Sequence, residues 1–134
     1  MKRKLLTVDD DADIRLVIRS GLSAEYEVLE AWDRATAEQQ LLQEDIAVVL
    51  LDMHLPDVTG LDILKVIKAR GSNAVVVVLT AHGDIESARG CLEIGANGYI
   101  TKPFDMDYLR AVISDYVERR FGNPESTKPP WRIG

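Results

Sequence analysis

Residues 74–80 read AVVVVLT, with four valines in a row and no polar residue before the closing threonine. Successive side chains of a strand point to opposite faces. An unbroken β-branched run therefore fits a strand covered on both sides better than one with a wet face. A second such run, Ala47–Leu51 (AVVLL), ends abruptly on Asp52, and a third, Lys4–Val8 (KLLTV), ends on Asp9 and Asp10. Tyr26–Ala31 (YEVLEA) alternates weakly, as an edge strand does, and Gly98–Thr101 (GYIT) reads as a short last strand.

Helical patterns fill the gaps. Asp13–Ser23 carries Ile14, Leu16, Val17, Ile18 and Leu22 and closes near Gly21; Asp33–Gln43 is rich in helix formers, with Asp33 as its N-cap. Leu61–Arg70 sets Leu61, Leu64 and Ile67 on one face and stops at Gly71. Asp84–Ile94 brings Ala88, Cys91 and Leu92 to a shared side, and Asp105–Arg120 carries Leu109, Val112, Ile113 and Tyr116 at helical spacing. Five strands alternating with five helices predict an α/β fold, a parallel sheet covered on both faces.

The 134 residues amount to one domain, and 46% hydrophobic with 28% charged residues suffices for a core. Sixteen Lys and Arg against 22 Asp and Glu give a net charge of -6, which argues against a direct grip on nucleic acid. No apolar stretch approaches the roughly 20 residues that span a bilayer. The single cysteine, Cys91, rules out an intramolecular disulfide and fits a reducing cytoplasm; a cytoplasmic domain without membrane contact is expected. After Phe121, GNPESTKPPWRIG holds three of the five prolines and no periodicity. Residues 1–121 are thus expected to form the domain, and 122–134 a linker or tail of the kind that leads to an output domain.

In such sheets, sites form beyond the carboxyl ends of the strands. The residues there are Asp9 and Asp10, Asp52, Thr80 and Lys102. Any one of them is an ordinary polar residue where a strand meets solvent; five of these types at four strand ends point to a site. Three neighbouring carboxylates repel one another unless something positive sits among them, and a hard, oxygen-seeking dication such as Mg²⁺ answers that need. A nucleophilic carboxylate beside it suits phosphoryl transfer, with Thr80 donating a hydrogen bond and Lys102 supplying a point charge.

The motifs VDD (8–10), LLDMHLPDVTG (50–60), LTA (79–81) and YITKPF (99–104) resemble, in order and spacing, the receiver domain of two-component response regulators. That resemblance implies a flavodoxin-like (βα)5 doubly wound parallel sheet, strand order 2-1-3-4-5. It implies that Asp52 accepts a phosphoryl group from a histidine kinase or histidine phosphotransfer protein. Asp10, Asp52 and the backbone carbonyl of His54 would hold Mg²⁺, with Asp9 acting mainly through water. Thr80 and Lys102 would bind the acyl phosphate, and Tyr99 would swing inward with Thr80, changing the surface of the fourth helix, fifth strand and fifth helix. The resemblance also implies a cis Lys102–Pro103 bond, slow autodephosphorylation and a homodimer through that same surface.

Further candidates follow from the same resemblance. Ile14 and Val17 on the first helix, with Pro103 and Phe104 after the lysine, match positions where the phosphodonor helix docks. Ile14 is expected to be exposed, and Val17 is open between docking and core packing. The two histidines, His54 and His82, border the site and are expected to tune phosphoryl lifetime; solvent-facing residues without effect are the alternative. Cys91 reads as a small buried hydrophobe, and Trp131 lies in the tail. A phosphatase of the haloacid-dehalogenase type would need an acid two positions after the nucleophile, where His54 stands. A flavin or nucleotide binder would need a phosphate-cradling loop after the first strand, where DDDADIR is electrostatically opposite.

Overall fold

The computed structural model describes residues 2–122. In chain order the elements are β1 (Arg3–Val8), α1 (Ala12–Leu22), β2 (Tyr26–Ala31), α2 (Arg34–Gln43), β3 (Ile46–Asp52), α3 (Gly60–Ala69), β4 (Val75–Ala81), a 3-10 turn (His82–Asp84), α4 (Ile85–Ile94), β5 (Gly98–Lys102) and α5 (Met106–Phe121). The strands pair in parallel in the order β2-β1-β3-β4-β5, as expected. Boundaries differ from the sequence reading by no more than one residue, and the residues following Gly122, including Trp131 and most of the expected linker, lie outside the described residues.

Strand alternation divides the interior in two. Leu6, Val8, Val49, Leu51, Val76 and Val78 meet Ile63, Leu64, Ile67, Ala88 and Cys91 on the side of α2, α3 and α4. Leu5, Val48, Leu50, Val75, Val77, Leu79 and Ile100 meet Ile18, Leu22, Leu109, Ile113 and Val117 on the side of α1 and α5. The valine run of β4 is wholly buried because it feeds both halves. Burial of this kind contributes about 25 cal/mol per Å² of apolar surface.

Four of the five helices begin where a short side chain caps them, α4 being the exception. Asp11 accepts from the backbone N–H of Asp13 and Ile14, Asp33 forms a capping box with Thr36, Thr59 accepts from Asp62, and Asp105 accepts from Asp107 and Tyr108. Gly95, at φ 125°, ends α4 in a conformation that favours glycine. The packing of α1 against the sheet and α5 corrects one expectation. Ile18 and Leu22 become its buried anchors, Ile14 is only partly exposed and packs toward the α5 side of the core, and Val17 faces solvent at 49% exposure. Likewise α3 buries Ile63, Leu64 and Ile67, while Leu61 is only partly buried. At the far end of the sheet from Asp52, the Arg3 guanidinium lies 5.3 Å from the Phe121 ring centroid, tying the start of β1 to the end of α5.

Candidate functional site

Asp52 is the last residue of β3, and the backbone beyond it is fixed from both sides. Met53 donates its N–H to Leu79 O at 3.3 Å, and Gly60 donates to Met53 O at 2.9 Å. Gly60 opens α3 against this backbone so closely that a Cβ there would stand 2.7 Å from Asp52 O. Glycine is required at that approach.

Asp9 follows β1, and Lys102 ends β5. By alternation Asp9, Asp52 and Lys102 continue the rows of Leu5, Leu50 and Ile100, so all three fall on the α1–α5 side of the sheet. Lys102 Nζ donates to Asp9 Oδ2 at 2.8 Å and to Asp52 Oδ1 at 3.3 Å, bridging residues 93 and 50 positions away in sequence. Asp9 is 1% and Asp52 7% exposed. Asp10 stands exposed beside them, and one carboxylate oxygen from each of Asp9, Asp10 and Asp52 lies within 4.8 Å of the others.

Burial pushes the Asp52 carboxyl above its usual range, and the neighbouring Asp9 charge adds to this; Lys102 and the backbone N–H of His54 oppose it. For Lys102, burial alone would lower the ammonium's value. The hydrogen bond to Asp9 and the charges of both carboxylates outweigh it and raise the value instead. The lysine is therefore firmly charged and serves as the positive partner the acids need. A hard dication also fits this donor set, which offers carboxylate oxygens and no sulfur.

Thr80 is buried, and its hydroxyl donates to Ala81 O at 3.2 Å and Asp84 O at 3.3 Å rather than toward Asp52. Tyr99 is 37% exposed. The register pairs Val78 with Tyr99 and Thr80 with Thr101, so Tyr99 lies one diagonal step from Thr80 on the α4 side. His54 is exposed, and its Nε2 lies 2.9 Å from Asp84 Oδ2. This contact ties the loop after β3 to the turn whose carbonyl holds Thr80. The backbone of His82 lies in that same turn; its side chain is not among those described. Pro103 is exposed and follows the cis Lys102–Pro103 bond, while Phe104 is partly buried against the core.

A family model described as "Response regulator receiver domain" matches residues 5–114. The chain belongs to that family. Among curated relatives, sporulation initiation phosphotransferase F of Bacillus subtilis is 33% identical over 118 residues, covering 87% of this chain and 95% of that protein. The response regulator protein PilR of Pseudomonas aeruginosa is 33% identical over 130 residues, covering 96% of this chain but 29% of that protein. This receiver domain thus spans nearly the whole of one relative and under a third of the other. The crystal structure of the receiver domain of NtrX from Brucella abortus superposes with a TM-score of 0.81 at 34% identity, covering 85% of this chain and 98% of that one. The chain is a receiver domain of two-component response regulators, consistent with a phosphorylation-activated switch.

Three contributors escaped the sequence reading: Asp84 against His54, and Arg15 with Glu30 behind Asp9. Arg15 and Arg19 are spaced i, i+4 and both pair with Glu30. That spacing was a signal, but its partner is identified only once β2 is known to lie beside β1.

Proposed function

We propose that Asp52 accepts a phosphoryl group from a phosphohistidine on a histidine kinase or a histidine phosphotransfer protein. A carboxylate oxygen of Asp52 bonds to phosphorus as the phosphorus–nitrogen bond breaks, and the electron pair returns to the donor imidazole. Asp10, Asp52 and the backbone carbonyl of His54 would hold Mg²⁺, Asp9 acting through water, and the bound ion supplies positive charge beside the phosphoryl oxygens. Lys102 exchanges a carboxylate for a phosphoryl oxygen, and Thr80 leaves Ala81 O and Asp84 O to donate to another. Phosphorylation brings roughly -1.5 to -2 charges and three acceptor oxygens, enough to draw both groups. Tyr99 follows Thr80, altering the surface formed by α4, β5 and α5. That surface would engage the output partner or a second copy of the chain.

The observation that supports this reading is the bridge from Lys102 to both Asp9 and Asp52 beside a third carboxylate, at a rim where the hydroxyl of Thr80 waits within one loop. The docking face for the phosphodonor would comprise Val17, Pro103 and the partly buried Ile14 and Phe104. His54 and His82 would tune the slow hydrolysis of the acyl phosphate. The domain would act in the cytoplasm, without contacting nucleic acid itself.

The test is incubation with acetyl phosphate and Mg²⁺, followed by intact mass. One phosphoryl adduct is expected on the wild type and none on Asp52→Asn. An adduct that persists in Asp52→Asn would refute the assignment.

A further inference from the structure

Every polar atom of Asp9 has a partner. Its N–H donates to Ala31 O at 3.0 Å; its Oδ1 accepts from Asp11 N at 3.0 Å, and its Oδ2 from Lys102 at 2.8 Å. Its backbone carbonyl accepts from Arg15 Nη1 at 2.7 Å. Lys102 is the partner that a phosphoryl oxygen would draw away; the other three are backbone donors and acceptors and the Arg15 guanidinium, which stay in place.

Arg15 is itself held from two further directions. Its Nε donates to Glu30 Oε1 at 3.0 Å, and its guanidinium lies 5.4 Å from the Trp32 ring centroid. The Arg15 side chain is 14% exposed. Glu30 is shared with Arg19, 2.7 Å from its other oxygen. Burial alone would raise the Glu30 carboxyl; the bonds from Arg19 and Arg15 outweigh it, lowering the value and keeping the carboxylate charged. A planar guanidinium can face a carbonyl, a carboxylate and a ring at once, which a lysine cannot.

We propose that Arg15, braced by Glu30 and Trp32, is a positioning residue for the acid pair, fixing the Asp9–Asp10 backbone and thereby setting the affinity for Mg²⁺. This rests on the phosphoacceptor reading of the site. Mg²⁺ demands near-ideal octahedral geometry at about 2.0–2.1 Å from its oxygens. A carboxylate on a backbone free to pivot meets that demand poorly. Outer partners of metal ligands are typically worth about 10–100-fold in affinity. Glu30 offsets only part of the charge of Arg15, since it also pairs with Arg19, so the comparison of Arg15→Lys with Arg15→Gln separates geometry from field.

The test is isothermal titration calorimetry with Mg²⁺ on the wild type, Arg15→Gln, Arg15→Lys and Glu30→Gln, with melting temperature recorded for each. Arg15→Gln is expected to weaken Mg²⁺ about tenfold. Arg15→Lys keeps the charge but loses the fork, so a weakening of a few-fold is expected, with Glu30→Gln similar. In acetyl phosphate reactions the loss should appear mainly as a higher half-saturating Mg²⁺ concentration. Variants that melt lower yet bind Mg²⁺ as the wild type does would reduce Arg15 to a structural residue and overturn the proposal, as would tighter binding by Arg15→Gln. A wild type that binds no Mg²⁺ would sink the phosphoacceptor reading and this inference with it.

Discussion

Replacing Asp52 by asparagine should stabilise the metal-free domain at neutral pH. At an effective dielectric near 20, the buried Asp9 charge, no more than 4.8 Å from Asp52, repels it by about 3.5 kcal/mol or more, while the exposed Asp10 is screened by water. At the same dielectric, Lys102 at 3.3 Å attracts Asp52 by about 5 kcal/mol. These contributions largely offset, so burial of the carboxylate, which costs several kcal/mol, decides the sign. The Asp52→Asn side chain would retain the shape without the charge, and a net gain of about 1–2 kcal/mol is expected. The assay is urea unfolding in EDTA at pH 7, where that gain corresponds to a midpoint higher by roughly 0.5–1 M. Because burial raises the Asp52 value above that of the unfolded chain, its stabilising influence is complete at low pH and is lost as pH rises through the raised value. The difference between variant and wild type should therefore vanish below about pH 4, near the unfolded carboxyl value. Mg²⁺ should close the gap at pH 7: at ten times its dissociation constant it stabilises the wild type by about 1.4 kcal/mol, while the variant has lost a ligand. An Asp52→Asn protein less stable than wild type in EDTA would refute this account of the acid pocket.

Three other outcomes follow from particular contacts. The Thr7 hydroxyl is buried without a hydrogen-bond partner among the described residues, so Thr7→Val should raise stability by about 1 kcal/mol in urea unfolding; a loss would mean that the hydroxyl is satisfied. Gly60→Ala puts a Cβ against the backbone of Asp52 and Met53, and about 2 kcal/mol of destabilisation is expected, with slower acetyl phosphate labelling; unaltered stability and labelling would argue against the close approach. If the His54–Asp84 contact restrains the turn that holds Thr80, His54→Ala and Asp84→Ala should each tighten binding of beryllofluoride, a phosphoryl mimic. The double variant should then gain less than the sum, with a coupling of about 0.5–1 kcal/mol. Simple additivity would show the two residues act separately.

The strand framework was legible because a run such as AVVVVLT has one reading in a covered sheet, and four of the five strand ends carried a candidate site residue in plain view. The helix faces were harder. In α1 the sequence Ile14-Arg15-Leu16-Val17-Ile18 is apolar at four of five positions, so this stretch alone does not say which of Ile14 and Val17 turns inward. Packing against the sheet and α5 decides which side is buried, turning Val17 outward and Ile14 partly inward. Lys102 was expected to act as a phosphoryl ligand, but its tie to Asp9 and Asp52 was not legible, because β5 is not adjacent to β1 or β3 in the sheet. Arg15 and Asp84 stayed hidden for a related reason: their partners come from other segments, and only packing brings them together.

The meeting of Arg3 with Phe121 has a mechanical consequence. It anchors the last turn of α5 at the pole opposite the acids, some 16 residues and about 24 Å of helix from the Lys102–Pro103 corner. Cargo fused after Gly122 would sit beyond the reach of the phosphoryl charge, which salt screens within about 8–10 Å. Through its covalent attachment such cargo would feel the chemistry as a tilt or slide of this one rod, so the stiffness of α5 and its seat on β1 would set how much of that movement is passed on.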